Sequence, residues 1–582
     1  MNTTIDEAIL AKAQLWLTEN FDEETKKEVK NLIDNDPTGL TDAFYQDLEF
    51  GTGGLRGIMG VGSNRMNKYT VGMATQGFAN YLKKIYSNLP QIKAVIAYDS
   101  RNNSSYFSQI SADVLSANGI KVFLFDALRP TPELSFSVRY LKCQGGIVVT
   151  ASHNPKEYNG YKVYGDDGGQ LVSPYDKEVI NEVKKIKSVA DVKFIPNKDL
   201  IEYIGETVDN AYIEKVKALS LSEELVKKYS DLKIVYTPLH GSGVKLVPWA
   251  LKEFGFKNIV SVEEQNISDG NFPTIKSPNP EESAALDMAI KKAQASNADL
   301  VMATDPDADR VGIAIKDNSE KFILLNGNQT SVLLVYYVLN KWKENGKITG
   351  KEFIVSTIVT TGILKEIAEK NNVESKEVLT GFKYIAEIIK KNEGEKTFIV
   401  GGEESYGYLT GDFVRDKDAV SSCCMIAEAA VWAKNKGKTL YDLLIDVYTE
   451  FGVYKEQLVN IVKKGKSGAD QIKQMMLDYR ENPLKEISKI PVVKILDYQL
   501  QIEKDMLNNQ TKPYDHLPKS DVIQFFLKDG SKITVRPSGT EPKIKFYFSV
   551  KENIMDSKDF AKTIEKLDEK INSIIISMGL NN

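Results

Sequence analysis

The sequence predicts an α/β protein of four domains: three similar α/β domains with mixed, largely parallel sheets, and a smaller C-terminal α+β domain. Its 582 residues are far more than the roughly 250 to 300 that one hydrophobic core supports. Short β-branched apolar runs end repeatedly in polar, Gly-rich or Asp-rich turns, and amphipathic helical stretches lie between them. The last part of the chain changes to a hairpin pattern, which indicates a domain of another kind.

The apolar runs predict buried strands, because a strand covered on both faces needs no polar alternation. They lie at residues 94–97, 146–149, 233–236, 300–303, 353–355 and 397–400. Residues 283–295 and 329–341 have the apolar spacing of amphipathic helices. Because ligands of such sheets bind beyond the carboxyl ends of the strands, we expect a site in the polar turns that follow these runs.

The C-terminal pattern begins with a Lys-rich helical region near residues 463–477. Residues 522–527 and 532–535 flank a Lys-Asp-Gly turn and predict a hairpin, which a further strand and a terminal helix follow. We place the domains at residues 1–205, 206–322, 323–455 and 456–582.

The composition is that of an ordinary globular protein, with 42% hydrophobic and 27% charged residues. Acidic and basic side chains are interleaved and the net charge is only -5, so nucleic acid is not expected as a partner. Three cysteines are too few for a disulfide framework or a four-ligand zinc site. Neither a secretory leader pattern nor an apolar run of about 18 residues occurs, so we expect a cytoplasmic protein without a membrane partner.

Ser152 is the candidate nucleophile. It lies in residues 150–155 (Thr-Ala-Ser-His-Asn-Pro), directly after a predicted strand, so its hydroxyl is expected to project from a tight turn. The plainer interpretation is a loop stabilised by its own Ser and Asn side chains. A serine-hydrolase site is excluded because the G-x-S-x-G elbow is absent and the adjacent His153 is not expected to reach round as a general base.

A candidate metal site follows another predicted strand and contains Asp305, Asp307 and Asp309. Hard oxygen ligands indicate magnesium, with calcium and manganese as alternatives. A calcium EF-hand is excluded because Arg310 and Lys316 stand where that loop needs Gly and Glu. A solvated acidic turn is disfavoured, since three carboxylates with an embedded proline have no neutralising Lys nearby in the sequence. A phosphate oxygen, for example on a phosphorylated serine, could complete the metal coordination.

Two further turns have the character of ligand loops. Residues 401–407 (Gly-Gly-Glu-Glu-Ser-Tyr-Gly) would place Glu403 and Ser405 on the same side if extended, which suits two neighbouring sugar hydroxyls. The alternative is a helix cap with exposed carboxylates. Residues 536–543 supply a guanidinium from Arg536, two hydroxyls and a flexible backbone. Together these groups can bind a phosphate dianion. The alternative interpretation is a basic turn.

Together, the turns at 150–155, 305–310, 402–407 and 536–543 resemble, in order and character, those of the α-D-phosphohexomutase superfamily, and in particular its phosphoglucomutase branch. Supporting matches lie at residues 51–57, 159–162, 380–383 and 415–418. The resemblance implies a heart-shaped enzyme whose four domains surround one central cleft, with the fourth domain as a mobile lid.

The resemblance also implies roles for individual residues. Ser152 matches the phosphorylated serine and a metal ligand, and Asp305, Asp307 and Asp309 match the ligands of one Mg²⁺ ion. The basic residues counted with Ser152 as catalytic are Arg56, His153, Lys162 and Lys417. The residues that match contacts to the sugar or to its second phosphate are Arg310, Gly381, Lys383, Glu403, Ser405, Arg536, Ser538, Gly539 and Thr540.

The implied activity is interconversion of glucose 1-phosphate and glucose 6-phosphate, with glucose 1,6-bisphosphate as intermediate and activator. Mannose-tolerant members carry a Gly-His pair where this chain has Tyr406-Gly407, and some glucose enzymes have Trp at the position of Phe382. Pentose and mannose phosphates therefore remain alternative substrates. Alternative functions of another class are a phosphatase and a non-catalytic phosphosugar-binding protein. The partner is a small phosphosugar, and the expected assembly is a monomer or a homodimer.

Overall fold

The computed structural model describes residues 6–51, 54–463, 465–538 and 543–580. The chain forms two compact units. The first comprises Met1–Gly327, Phe382–Val400 and Ser405–Trp432. The second comprises Asn328–Gly381, Gly401–Glu404 and Ala433–Asn582.

The first α/β region opens with three helices and continues into a six-stranded sheet. Its elements are α1 (Glu7–Leu15), α2 (Glu23–Asn35), α3 (Pro37–Phe44), β1 (Gly54–Ile58), α4 (Lys68–Ile85), β2 (Lys93–Tyr98), α5 (Ser104–Ala117), β3 (Lys121–Phe125), α6 (Thr131–Tyr140), β4 (Gly145–Val149), β5 (Tyr158–Gly165), α7 (Tyr175–Lys185) and β6 (Ile201–Ile204). The strand order is β1-β5-β4-β2-β3-β6. Strands β4, β2, β3 and β6 run parallel, whereas β5 is antiparallel to both of its neighbours.

The second α/β region contains a five-stranded sheet. Its elements are α8 (Glu206–Lys217), α9 (Glu223–Lys228), β7 (Ile234–Thr237), α10 (Gly243–Phe254), β8 (Ile259–Ser261), α11 (Ser283–Ser296), β9 (Leu300–Thr304), β10 (Val311–Lys316) and β11 (Phe322–Leu324). The order is β11-β10-β9-β7-β8, with β7, β8 and β9 parallel and β10 antiparallel to β9 and β11.

The third region has its elements divided between the two units. They are α12 (Gly327–Glu344), β12 (Glu352–Thr357), α13 (Ile363–Lys370), β13 (Glu374–Val378), α14 (Phe382–Lys391), β14 (Thr397–Glu403), β15 (Gly407–Thr410), α15 (Ala419–Asn435) and α16 (Leu440–Phe451). In the second unit, β12 and β13 pair in parallel.

The C-terminal region belongs to the second unit and is sheet-rich. Its elements are β16 (Val453–Val462), α17 (Gly465–Glu481), β17 (Glu486–Ile487), β18 (Ile490–Asp497), β19 (Ile502–Asp505), β20 (Gln510–Pro513), β21 (Ile523–Leu527), β22 (Lys532–Pro537), β23 (Lys543–Glu552) and α18 (Phe560–Ser577). The order is β16-β23-β22-β21-β18-β19-β20, all antiparallel, with β17 beside β18.

These elements confirm the predicted fold class, three α/β regions with mixed sheets and a C-terminal α+β region. The six apolar runs are β2, β4, β7, β9, β12 and β14. The predicted hairpin is β21 and β22, and the predicted amphipathic helices are α11 and α12. The domain boundaries themselves stay predictions.

Local chemistry explains several element ends. Asp22 caps α2 by accepting the Thr25 N–H, and two glutamates follow in the first turn, where the helix dipole favours negative charge. A capping box between Asn67 and Thr70 starts α4. The core of the first sheet lies between its strands and α4, with Phe78, Ile96 and Ile147 buried in it. Among the described helices, none is both long and apolar enough to cross a membrane.

Candidate active site

Ser152 lies in the turn after β4, three residues beyond the strand's last residue. It is buried, and its backbone has φ 51°, a left-handed conformation that a non-glycine residue adopts only where the surroundings hold it. The Ser152 N–H donates to Thr150 Oγ1 at 2.8 Å. The turn therefore presents the hydroxyl in one defined position.

Arg101 holds this turn, a role that the sequence analysis missed. The guanidinium donates to four backbone carbonyls, those of Ser152 (2.5 Å), Asn154, Pro155 (2.8 Å) and Tyr158 (3.0 Å). Its charge is balanced by the buried Asp99, with Nε 3.4 Å from Oδ2. The turn at residues 98–101 was visible in the sequence, but nothing local indicated that Arg101 reaches the serine loop.

The Ser152 hydroxyl donates to Asp305 Oδ2 at 2.6 Å. Asp305 follows β9 directly, so two strand ends of neighbouring α/β regions meet here. Asp305, Asp307 and Asp309 are all buried, and one carboxylate oxygen from each lies within 4.8 Å of the others. The structure thus brings the predicted nucleophile and the predicted metal ligands into one cluster.

Two lysines from distant parts of the chain neutralise this cluster. Lys162 Nζ lies 2.8 Å from Asp307 Oδ2 and 3.5 Å from Asp309 Oδ2, and Lys417 Nζ lies 3.1 Å from Asp309 Oδ2. Lysines that are distant in the sequence therefore neutralise the three carboxylates, and the prediction that no Lys does so was wrong because it rested on sequence neighbours alone. The two lysines make a buried group of three carboxylates electrostatically tolerable.

The carboxylates differ in their pKa. Burial, and then the charges of Asp307 and Asp309, raise the pKa of Asp305 well above its ordinary value. Burial alone would also raise the pKa of Asp307, but the ammonium group of Lys162 outweighs burial and lowers it. Within the described residues, Asp307 Oδ1 and Asp309 Oδ1 are buried and accept no hydrogen bond. Unsatisfied buried oxygens on clustered carboxylates fit a hard divalent cation.

His153 contacts Ser152, with Nδ1 3.3 Å from Oγ. The imidazole thus reaches the hydroxyl although the two residues are adjacent in sequence, whereas the expectation that His153 is not a hydrolase general base stays a prediction. Burial, and then the positive charges of Arg310 and Arg56, lower the pKa of His153 well below its ordinary value, so its ring is neutral. Arg56 is exposed on β1, with Nη1 3.3 Å from Asn154 Oδ1.

The remaining predicted residues of the first unit are Arg310, Lys383 and Ser405. Arg310 donates its backbone N–H to Asp305 Oδ1 at 3.0 Å, and its guanidinium binds Glu281 at 2.7 Å. Lys383 lies on α14, where burial lowers its pKa. Ser405 lies in the turn between β14 and β15.

The second unit contains Gly381 and Glu403, which the structure joins: the Gly381 N–H donates to Glu403 Oε1 at 2.9 Å. Strand β14 ends at Glu403, and a turn follows. The extended geometry considered for Glu403 and Ser405 is therefore not the one formed. Burial, and then the charge of Glu403, raise the pKa of the adjacent Glu404 to about 7.

The predicted phosphate loop follows β22 in the same unit. Arg536 pairs with Lys545 of β23, and the Ser538 N–H donates to the Lys543 carbonyl at 2.8 Å. These two contacts hold the beginning and the end of the loop together. Gly539 and Thr540 lie outside the described residues.

The fold and the site define a multidomain α/β protein that presents a serine hydroxyl to a buried carboxylate centre suited to a metal ion. Comparison with known proteins agrees with this class. Residues 47–190, 210–318 and 326–451 match the profiles described as alpha/beta/alpha domains I, II and III of phosphoglucomutase/phosphomannomutase. The chain belongs to the phosphoglucomutase/phosphomannomutase family.

Its relatives match over most of their length. The chain is 40% identical to a phosphoglucomutase of Staphylococcus haemolyticus, over 87% of this chain and 91% of that protein. It is 39% identical to a phosphoglucomutase of Staphylococcus aureus, over 92% and 94%.

Two solved structures share the fold. Parafusin from Paramecium, in an open form, has a TM-score of 0.65 at 19% identity, covering 91% of this chain and 95% of that chain. A phosphoglucomutase/phosphomannomutase family protein from Burkholderia thailandensis has a TM-score of 0.61 at 17% identity, covering 91% and 97%.

Proposed function

We propose that this chain is a phosphoglucomutase, which interconverts glucose 1-phosphate and glucose 6-phosphate by relaying a phosphoryl group through Ser152. The observation that carries the proposal is the 2.6 Å contact between the Ser152 hydroxyl and Asp305 inside the buried carboxylate cluster. The phosphoglucomutases at about 40% identity support the same activity. A serine held against a metal centre is suited to carry a phosphoryl group between two sugar oxygens.

We assign one Mg²⁺ ion to Asp305, Asp307 and Asp309, with an oxygen of phosphorylated Ser152 as a further ligand. Three clustered carboxylates, two of which have a buried oxygen that accepts no hydrogen bond within the described residues, favour a hard cation, and magnesium commonly binds carboxylates together with phosphate oxygens. When bound, the ion offsets negative charge on the oxygens of the transferring phosphoryl group.

In the first transfer, the bond between phosphorus and Ser152 Oγ breaks and a bond to the 6-hydroxyl oxygen of glucose 1-phosphate forms. The sugar hydroxyl loses its proton and Ser152 Oγ gains one, so Ser152 returns to a free hydroxyl and glucose 1,6-bisphosphate results. In the second transfer, the bond between phosphorus and O1 breaks and a bond to Ser152 Oγ forms. Ser152 Oγ loses its proton and O1 gains one, which leaves glucose 6-phosphate and restores the phosphoserine. Each transfer breaks one phosphate ester bond and forms another, so the cycle is nearly balanced in energy.

The basic residues around Ser152 provide the proton transfers and the positive charge. Lys162 and Lys417 hold their ammonium groups on the carboxylate cluster, where they also stabilise charge on a phosphoryl group. Arg56 and Lys162 are the candidates for moving the proton of the sugar hydroxyl. The neutral His153 contacts Ser152 Oγ and fixes its position.

The other predicted residues bind the rest of the substrate in this proposal. Glu403 and Ser405 contact sugar hydroxyls, and Arg310, Gly381 and Lys383 orient the sugar. The phosphate that is not transferred is assigned to Arg536, Ser538, Gly539 and Thr540.

The test is a side-by-side assay of the purified full-length chain on the 1-phosphates of glucose, mannose, glucosamine and ribose, with Mg²⁺ and glucose 1,6-bisphosphate. We expect isomerisation of glucose 1-phosphate to be fastest and to depend on the bisphosphate. Faster turnover of ribose 1-phosphate would show that the chain is a phosphopentomutase. Release of inorganic phosphate would show that it is a phosphatase. Binding without turnover of any sugar would contradict catalysis altogether.

A further inference from the structure

Thr131 is the first residue of α6, and it contacts the candidate metal loop at two points. Its backbone N–H donates to the Asp307 carbonyl at 2.9 Å, and its Oγ1 donates to Asp307 Oδ2, also at 2.9 Å. Thr131 is fully buried. The helix therefore holds both the backbone and the carboxylate of one residue that lies 176 positions further along the chain.

The two oxygens of Asp307 are in different environments. Oδ2 accepts hydrogen bonds from Thr131 Oγ1 and from Lys162 Nζ, at 2.9 and 2.8 Å. Within the described part of the chain, Oδ1 accepts none, although it is buried. Two donors on one oxygen fix the rotation of a carboxylate group and leave the other oxygen free. Threonine suits this task because its branched side chain has few rotamers.

Thr131 also differs in kind from Lys162, the second donor. The ammonium group of Lys162 is shared with Asp309 and is assigned to the transferring phosphoryl group, so its position depends on what the site binds. The hydroxyl of Thr131 is neutral, buried and on a helix. Its contact with Asp307 therefore involves no charge that a bound phosphoryl group would attract.

We propose that Thr131 is a positioning residue for the metal site, which orients Asp307 so that Oδ1 remains the free ligand atom. The proposal rests on the proposed function only in that the three carboxylates bind a divalent cation. Groups that orient metal ligands typically contribute about 10- to 100-fold to metal affinity. The loop backbone does not depend on the hydroxyl, because the Thr131 N–H holds Asp307 and Ser242 donates twice to the Pro306 carbonyl at 2.8 Å.

The experiment measures metal binding directly by calorimetric titration of the dephosphorylated full-length chain with Mg²⁺ and with Mn²⁺. Thr131→Val replaces the hydroxyl with a methyl group and keeps the shape of the side chain. Thr131→Ala removes the hydroxyl and leaves a smaller side chain, and Thr131→Ser retains the hydroxyl. The matched control is Thr75→Val, at a buried threonine of α4 whose hydroxyl bonds to the Val71 carbonyl. We expect the Val and Ala variants to raise Kd about tenfold or more, and the Ser variant and the control to stay within about threefold of wild type.

A second readout separates positioning from a merely structural role. In the isomerisation assay, the Val and Ala variants should need about tenfold more Mg²⁺ for half-maximal rate, and the serine variant should restore the wild-type requirement. Wild-type Kd in both the Val and Ala variants overturns the proposal even if their thermal stability falls, and so does a wild-type chain that binds neither metal ion. If the Val variant does not fold, comparison of the metal Kd of the Ala and Ser variants tests the proposal in the same way.

Failure of this proposal is distinguishable from failure of the proposed function. A chain that isomerises glucose 1-phosphate, with an unchanged metal Kd in the Thr131 variants, retains the function and loses the positioning role. A chain that isomerises no phosphosugar, with metal binding weakened by loss of the Thr131 hydroxyl, retains the positioning role and loses the function.

Discussion

The side chain of Lys417 packs directly against the backbone of Gly407: a Cβ placed on residue 407 would overlap Cδ of Lys417 and lie 2.7 Å from its Cγ. Lys417 Nζ in turn contacts Asp309 at 3.1 Å. The glycine after Tyr406 thus has a steric function, since it leaves room for a lysine that neutralises the carboxylate cluster.

We predict that Gly407→Ala lowers kcat/KM for glucose 1-phosphate about 10- to 100-fold, because the side chain of Lys417 must shift and its contact with Asp309 is then displaced. The measurement is steady-state kinetics, with circular dichroism to confirm folding. Gly169→Ala is the matched control, since a Cβ there meets Ala386 Cβ at an ordinary 3.4 Å. Equal activities of the two variants would contradict the steric role of Gly407.

The second prediction concerns Ser152. Ser152→Ala should lower isomerisation by at least about a thousandfold, because the variant lacks the hydroxyl oxygen that is assigned to carry the phosphoryl group. Intact-mass measurement should show loss of the phosphorylated species. The control is Ser108→Ala, which removes a buried hydroxyl that forms no hydrogen bond within the described residues. This variant should leave the rate of isomerisation unchanged. Substantial activity in the Ser152 variant would rule out the serine relay.

The third prediction concerns the metal. Chelation with EDTA should abolish isomerisation, and Mg²⁺ should restore it. Saturating metal at about 100 times Kd should stabilise the wild-type fold by about 2.7 kcal/mol, since the ion binds the folded state alone. In Asp307→Asn this gain in thermal midpoint should largely disappear, because a neutral amide is a weaker ligand. Asp47→Asn, at an exposed carboxylate, should keep the full gain; a full gain in the Asp307 variant would contradict the assigned site.

The fourth prediction concerns stability and pH. Glu133 is fully buried on α6, and burial, followed by the charge of Asp209, raises its pKa well above the ordinary value. The folded state therefore keeps a proton that the unfolded chain has already lost. Stability contributed by this proton is present below the ordinary pKa of Glu and is lost as pH rises towards the raised value.

Glu133→Gln keeps the shape and remains neutral, so it should lose less stability than wild type as pH rises from 5 to 8, on the order of a few degrees in thermal midpoint. Both proteins are compared in EDTA, so that the metal-site carboxylates contribute equally. Glu214→Gln, at an exposed position of α8, should follow wild type. Parallel curves for wild type and the Glu133 variant would show that Glu133 is ionised in the fold.

The fold class was predictable because the strands β2, β4, β7 and β9 are continuous apolar runs, a pattern that buried strands impose on any sequence. Strand β5 was not recognised. Its sequence, Tyr158–Gly165, contains an asparagine, three tyrosines, two glycines and Lys162, yet the strand is buried between β1 and β4, and Lys162 reaches the carboxylates of another region. A charge in a strand looks like a surface residue until its partner is known.

The site shows the same division. Ser152 and the three aspartates could be predicted because each follows a strand directly in a short polar turn. The roles of Arg101 and Thr131 could not be predicted, because each contacts a group far away in the sequence. Arg101 donates to the carbonyl of Ser152, 51 residues away, and Thr131 donates to the carboxylate of Asp307, 176 residues away. The contact between His153 and Ser152 was not predicted either, and it forms at a residue whose backbone is left-handed.

The sequence by itself determined the alternation of strands and helices, the hydroxyl and the carboxylates, since these depend on local spacing and on the chemistry of single side chains. Only the tertiary structure decided their electrostatics. Three carboxylates are stable together in a buried site because Lys162 and Lys417 are brought there by β5 and by the segment after β15. Electrostatic interaction between charges depends on their distance in space, which cannot be derived from their separation along the chain.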